Sequence, residues 1–320
     1  MNIAPKLIYN VGILFLMMIP GVILKKCKFI KDGFGKGISN LVLYIAQPAL
    51  IFLAYLRAFD KTVLINSLYV LVFSVIAHII FSVIALNLFR KAPDGERRML
   101  RFATIFSNAA FMGIPLISAV LGDEATIYAS IYNITFNLFL WSLGVKICTE
   151  GREGEEGKKS SEASIKKALL HPVTIAAALG LVFFLAPIET YVPGIIVDSL
   201  SMLKNLVAPL SMVVIGIRLA DMNLKGFFNH KELYIFLLLR HIILPVLVFG
   251  VMRVLILVGL PIVNDVILSV LIMAAAPAAS SATMFAEKYD CDSDYASKLV
   301  AVSTILSIVT MPLISMLAQI

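Results

Sequence analysis

Charge is scarce in this chain. Asp, Glu, Lys and Arg make up 15% of its 320 residues, against about a quarter in soluble domains. So small a polar complement cannot cover a water-soluble globule of this length. Cysteine is nearly absent: Cys27, Cys148 and Cys291 are the whole set, with no metal-ligand spacing among them, which excludes a disulfide scaffold and a structural zinc site. Acidic residues are missing from the centres of the apolar stretches. Asp198 and Asp265 sit at the starts of such stretches, and Glu124, Glu189 and Glu287 are also terminal, so a buried carboxylate proton relay has no carrier. There is no HExxH, no GxGxxG opening a helix, and no Ser–His–Asp set or buried Asp pair. An enzyme therefore finds no support, and neither a metal nor a cofactor is expected.

What is abundant is apolar sequence, 60% of the chain, gathered into blocks rather than spread at amphipathic spacing. Ten blocks can be read: Ile3–Leu24, Ile38–Leu56, Val63–Phe89, Leu100–Leu121, Ile127–Ile147, Leu169–Ala186, Gly194–Ile217, Leu233–Leu257, Val263–Ala286 and Tyr295–Leu317. Most approach the ~20 residues that a helix needs to cross a hydrocarbon core. The first is longer than a signal-peptide core, its lysines follow it, and it has no small-x-small cleavage site, so it counts as segment 1. The fold class expected is an all-α membrane protein of ten transmembrane helices.

The formal net charge of +7 does not point to nucleic acid, because of where the cations lie. The connections after segments 1, 3, 5, 7 and 9 hold 21 of the 27 Lys and Arg residues. The opposite connections hold Lys6, Arg57, Lys61 and Arg253, while Lys204 and Arg240 fall inside segments. That positive-inside bias expects a multi-pass protein of the plasma (inner) membrane with both termini outside and the central loop cytoplasmic. It puts all three cysteines on the reducing side.

The chain divides at its middle. Residues 149–167 form a charged Glu/Lys/Gly/Ser linker between halves 1–148 and 168–320. His78-Ile79-Ile80, Val83 and Arg90 recur as His241-Ile242-Ile243, Val246 and Arg253, at an offset of 163. Pro48, Arg57 and Asp60 match Pro209, Arg218 and Asp221 at 161; Pro115 matches Pro277 at 162; Tyr128-Ala129-Ser130 matches Tyr295-Ala296-Ser297 at 167. Each half has an odd number of segments, so a duplicated second half must be inverted, a common plan in secondary transporters.

Two segments stand out chemically. Segment 4 carries Gly113, Ile114 and Pro115, and segment 9 carries Ala276 and Pro277. A mid-membrane proline deletes a helical hydrogen bond but is favoured at a helix start. The two prolines are thus expected to restart half-helices whose free N–H groups suit a carboxylate. Polar residues gather nearby: Thr104, Ser107 and Asn108; Ser280, Ser281 and Thr283; Asn133, Thr135 and Asn137; Ser303, Thr304 and Ser307; and Gln47. The candidate substrate-contacting set is Asn108, Gly113, Ile114, Pro115, Asn133, Asn137, Ala276, Pro277, Ser280 and Ser281. Hydroxyls and amides inside a membrane also serve plainly as links between helices, and that reading applies to His78 and His241, for which proton carriage is the alternative because histidine titrates in the physiological range. Arg240 must pair, snorkel or face water, since an unpaired cation is costly at that depth. Arg57 with Asp60, and Arg218 with Asp221, lie at segment ends, where cations complement the helix dipole.

The run Asn108-Ala109-Ala110-Phe111-Met112-Gly113-Ile114-Pro115-Leu116 resembles the N-x-x-x-M-G-I-P-L signature of the auxin efflux carrier family, and the ten-segment plan resembles its bacterial members along essentially the whole chain. The resemblance implies a fold like the bile-acid–sodium symporters, with segments 4 and 9 broken and crossing. It implies a scaffold domain of segments 1, 2, 6 and 7, a transport domain of segments 3–5 and 8–10, and Asn108 at the substrate carboxylate. Bacterial relatives are associated with malonate, malate and similar acids. The long central loop of many plant members has no counterpart here, which speaks against their phosphorylation control and against auxin as substrate.

The function expected is a secondary transporter of a small organic anion, a mono- or dicarboxylate, working by alternating access of elevator type. Its partners are that acid, membrane lipids and a coupling ion (sodium or proton), with a homodimer left open. Neutral Gln, Asn, Ser and Thr oxygens can ligate a hard cation, so a sodium-coupled symporter is the alternative. A channel needs a continuous polar lining or charged rings, and a sensor would bind without flux.

Overall fold

A computed structural model describes residues 3–31, 33–150, 166, 169–186, 191–222 and 227–319. Most of the 149–167 linker and Glu189 therefore lie outside the described residues. The described chain is helical, with α1 at Pro5–Lys26, α2 at Phe34–Tyr55 and α3 at Lys61–Asn87. Next come α4 at Asp94–Ile105, then α5 at Ala109–Leu121 and α6 at Asp123–Cys148. The second part holds α7 at Pro172–Leu185, α8 at Gly194–Ala220, α9 at Lys231–Leu257 and α10 at Asn264–Ala275. It ends with α11 at Ser281–Lys288 and α12 at Ser293–Ala318. Seven of these (α1, α2, α3, α6, α8, α9 and α12) are long and apolar enough to cross a membrane. Three shorter apolar helices are α5, α7 and α10.

Local chemistry sets the ends. Asp60 stands just before α3 in extended backbone, and its Oδ1 accepts from the Thr62 N–H at 2.7 Å, an N-cap. That bond holds the Asp60 carboxyl below its ordinary range. Asp292 caps α12 in the same way, accepting from Tyr295 N at 2.8 Å. Inside the spans, π turns absorb three of the prolines, whereas Pro312 sits within the regular helix of α12. Val42–Ala46 precedes Pro48, Ala109–Gly113 precedes Pro115, and Leu239–Ile243 precedes Pro245. Proline has no N–H to donate and its ring crowds the carbonyl four residues back. One wider turn removes the conflict without ending the helix.

Packing assigns the helices to neighbours. α1 lies on α8, and α2 lies on α7 and α8. The α1–α8 approach is so close that a Cβ on Gly21 would strike the Val213 carbonyl, and one on Gly216 would strike that of Met18. α3 packs on α4, α6, α9 and α10, and α12 on α4, α9, α10 and α11. Hydrogen bonds join α6 to its neighbours: Tyr55 with Ser130 at 2.8 Å, and Ser74 with Thr135 at 2.8 Å.

A length pattern runs through the fold. α3 and α9 each have 27 residues, and α6 and α12 each have 26. α4 and α10 each have 12. Their starts lie 170 positions apart in every case, at Lys61 and Lys231, Asp94 and Asn264, and Asp123 and Ser293. The short sequence matches recur at 161–167, so they fall up to nine positions out of register with the elements. The His78/His241 match is seven off, almost two helical turns, and such a shift keeps residues on one face.

Candidate functional site

The site begins where two helices fail. α4 stops at Ile105 and α5 starts at Ala109, while α10 stops at Ala275 and α11 starts at Ser281. The intervening strands of backbone cross and pair. Asn108 N donates to Pro277 O at 2.7 Å, and Ala279 N donates to Phe106 O at 2.9 Å. Ser107 and Ala278 sit opposite each other as an antiparallel bridge. Each break thus satisfies part of the other's orphaned backbone, which unwound chain at membrane depth requires.

This corrects one expectation. The sequence places the break of segment 4 at Pro115, but the chain unwinds at 106–108. The preceding π turn accommodates Pro115 within α5, so it restarts nothing. Pro277 does lie in its break, but α11 starts four residues later at Ser281, so Pro277 is not the first residue of a restarted helix either.

Arg240 and His241 serve the remaining backbone groups. Both lie in the π turn of α9 and are fully buried. The Arg240 guanidinium donates from Nε to Ala276 O at 3.2 Å, from Nη1 to Thr104 O at 3.3 Å, and from Nη2 to Ala274 O at 2.9 Å and Ala276 O at 2.7 Å. It lies over the Phe81 ring, 5.5 Å from its centroid. Those carbonyls are the negative C-terminal ends of α4 and α10, and one cation covers both. Ala278 N donates to Ser303 Oγ at 2.9 Å, and that hydroxyl also meets His241 Nε2 at 2.9 Å. His241 Nδ1 meets Thr310 Oγ1 at 2.9 Å. His241 therefore links helices, whereas His78 bonds Ser74 O of its own helix at 2.7 Å and reaches α6 only by stacking on Phe139.

A cavity of about 90 Å³ lies on the other side of the crossing. Asn108, Asn133, Asn137, Ser280 and Ser281 line it. It runs toward the face where Trp141, His171 and Met284 lie. The Asn108 amide donates to Ser280 Oγ at 3.1 Å, and Asn137 donates to Asn133 O at 2.9 Å. Asn133 Oδ1, Ser281 Oγ and Gln47 Oε1 are buried with no hydrogen-bond partner. Such atoms are costly to leave unpaired, and these three border one space.

The other expected residues separate from this group. Ala276 and Pro277 contribute carbonyls that Arg240 and Asn108 occupy. Gly113 packs where a Cβ would come 2.5 Å from Met273 Sδ, and Ile114 is fully buried. Pro115 lines a second cavity of about 130 Å³ at the opposite end of α6, with Ser118, Asp123 and Lys204. There Lys204 Nζ pairs with Asp123 at 2.5 Å, and Arg57 pairs with Glu124 at 3.2 Å. The charges at segment ends are thus not simple dipole complements. Arg218 donates to Ser280 O at 2.6 Å, and Asp221 pairs with Lys25 at 3.0 Å.

Gln47 belongs to the site, although the candidate set omits it. It is fully buried, donates from Nε2 to Ala110 O, and lines the cavity. The available signal was a polar residue directly before Pro48 in an apolar block. His171, at the cavity mouth, carries no such signal. Its Nδ1 accepts from Val173 N at the start of α7, so it reads as an ordinary cap. Among the described residues no group of His, Cys, Asp and Glu could hold a metal ion.

Comparison with known proteins bears on the whole chain. A family model described as membrane transport protein matches residues 7–315. The chain is 28% identical over 302 residues to an uncharacterized transporter of Methanothermobacter thermautotrophicus, covering 93% of each. It is 24% identical over 222 residues to an uncharacterized transporter of Methanocaldococcus jannaschii, covering 67% of this chain and 69% of that one.

Proposed function

This chain belongs to the membrane transport protein family, that of the auxin efflux carriers, and from that premise we propose that it carries a small organic anion, a mono- or dicarboxylate, across the plasma membrane. It is a multi-pass transport protein and not an enzyme. The observation that carries the proposal is the polarity of the crossing. Arg240 covers the C-terminal carbonyls of α4 and α10, while the starts of α5 and α11 carry Asn108, Ser280 and Ser281 at the cavity. A helix start presents unpaired N–H groups and a positive dipole end, so the cavity favours negative charge. The Asn108 amide is the donor assigned to the carboxylate. Gln47 Oε1 and Asn133 Oδ1 need donors, which a substrate hydroxyl, a protonated second carboxyl or water supplies.

The proposed architecture is ten spans in two inverted five-helix repeats, with the broken helices crossing as in the bile-acid–sodium symporters. Equal helix lengths at a spacing of 170 support it. A scaffold of α1, α2, α7 and α8 holds a transport unit of α3–α6 and α9–α12, which moves as an elevator. Few polar links cross between them among the described residues: Gln47 to Ala110, Tyr55 to Ser130, Arg218 to Ser280, Lys204 to Asp123 and Arg57 to Glu124. The basic connections support a topology with the Cys148 face in the cytoplasm and both termini outside, in which the cavity faces inward. The test is flux into proteoliposomes against a panel of mono- and dicarboxylates. Saturation and counterflow are expected for at least one small acid. Unsaturable flux would indicate a channel, and binding without flux a sensor.

A further inference from the structure

Arg240 is a full positive charge held at the membrane's depth without an acidic partner. Among the described residues no carboxylate forms an ion pair with it. Its ligands are instead three backbone carbonyls from two unwound helix ends, Thr104, Ala274 and Ala276. Converging carbonyls at the ends of broken helices are the donor set with which transporters hold a soluble coupling cation. Here every one of those oxygens is turned to a guanidinium, which stays charged at any physiological pH. The residue is fully buried, its aliphatic stem fixed in α9 and its plane over Phe81. It cannot leave with the substrate.

We propose that Arg240 is a tethered cation occupying the place of a coupling ion at the crossing. The inference rests on the anion-carrier reading and adds the ion economy of that carrier. The fixed charge cancels the C-terminal dipole ends of α4 and α10 in every cycle, so the anion site needs no sodium to become attractive. Removing the side chain leaves an empty carbonyl cage that a small cation can fill. The chain is thereby converted from a cation-independent carrier into a cation-dependent one.

Two measurements on the full-length protein test this. The first is malonate uptake into proteoliposomes with sodium or choline as the external cation. Wild type is expected to take up malonate equally in both. Arg240→Ala should lose at least tenfold in apparent affinity in choline, as expected when charge-assisted hydrogen bonds are lost, and sodium or millimolar guanidinium should restore part of it. Arg240→Lys, which keeps the charge, should need neither. The second is the melting temperature in sodium against choline at equal ionic strength, which requires no transported substrate. Sodium should raise it for Arg240→Ala and leave wild type unmoved. Sodium-dependent uptake or sodium-specific stabilisation of wild type overturns the proposal, and so does a folded Arg240→Ala that is indifferent to both cations. Should Arg240→Ala not fold, Arg240→Lys decides: sodium-independent uptake supports the tethered charge, and sodium dependence refutes it. Should wild type move no carboxylate at all, the carrier reading fails separately, and the melting comparison still judges the cation.

Discussion

At the scale of single residues the proposed site turns on Asn108. Its backbone N–H is bound to Pro277 O, and its amide spans to Ser280 on the other break. A charge-assisted hydrogen bond contributes about 1.5–3 kcal/mol, so Asn108→Ala should weaken apparent substrate affinity about tenfold or more. Asn108→Asp should be worse, because it sets a like charge beside the carboxylate. Ser281→Ala should cost less than either. Uptake kinetics at matched membrane expression and matched melting temperature check all three. An unchanged affinity in Asn108→Asp would remove the carboxylate from this position. Gly113 is a steric rather than a chemical requirement. Its missing Cβ would meet Met273 Sδ, whereas Gly250 in α9 has open space around it. Overpacking of a tight core costs about 1–3 kcal/mol. Gly113→Ala should therefore lower the melting temperature, while Gly250→Ala should leave it level or higher, since Ala is the better helix former. Equal effects at the two positions would show that the α5–α10 contact is not tight.

Among the helical elements, the ends of α6 separate two kinds of surface. One end opens on the cavity lined by Asn108 and Ser280. The other is tied across by Lys204–Asp123 and Arg57–Glu124. Such partly exposed pairs contribute about 0.2–1 kcal/mol each, enough to bias a closed face and not enough to lock it. Lys204→Gln or Asp123→Asn should speed thiol labelling of Ala208→Cys, which borders that second cavity, by up to about fivefold for the upper value. Labelling at the wild-type rate in both variants would sink the idea that these pairs hold the face shut. The π turns matter at the same scale. By widening one turn of α9, the segment Leu239–Ile243 brings adjacent residues Arg240 and His241 both inward, one to break carbonyls and the other to the Ser303 hydroxyl.

For the whole molecule the proposed orientation follows from charge placement and is open to direct test. Phe29 lies after α1 and Tyr191 before α8, both well exposed. In a cysteine-free background, Phe29→Cys should react with a membrane-impermeant thiol reagent only from the cytoplasmic side, and Tyr191→Cys only from outside. Reaction of both from one side would break the ten-span arrangement, because the two positions are separated by an odd number of spans in it.

Composition and block length sufficed to read a helical membrane protein and its apolar segments, because a span needs only length and hydrophobicity and neither depends on the partner it packs against. The nine-residue motif around Met112-Gly113-Ile114-Pro115 sufficed for the family, and Asn108 and Ser280 were legible as polar residues stranded in apolar surroundings. Where the helix breaks was not legible. Proline marks a lost hydrogen bond, but whether the chain unwinds there or absorbs the loss in a π turn depends on what waits across the gap. At Pro115 the turn absorbs it, while 106–108 unwinds because 276–279 is there to pair with it. Arg240 was legible only as an anomaly. Its role required the carbonyls of Thr104, Ala274 and Ala276, which lie 136, 34 and 36 residues away along the chain and which only tertiary packing brings to one guanidinium.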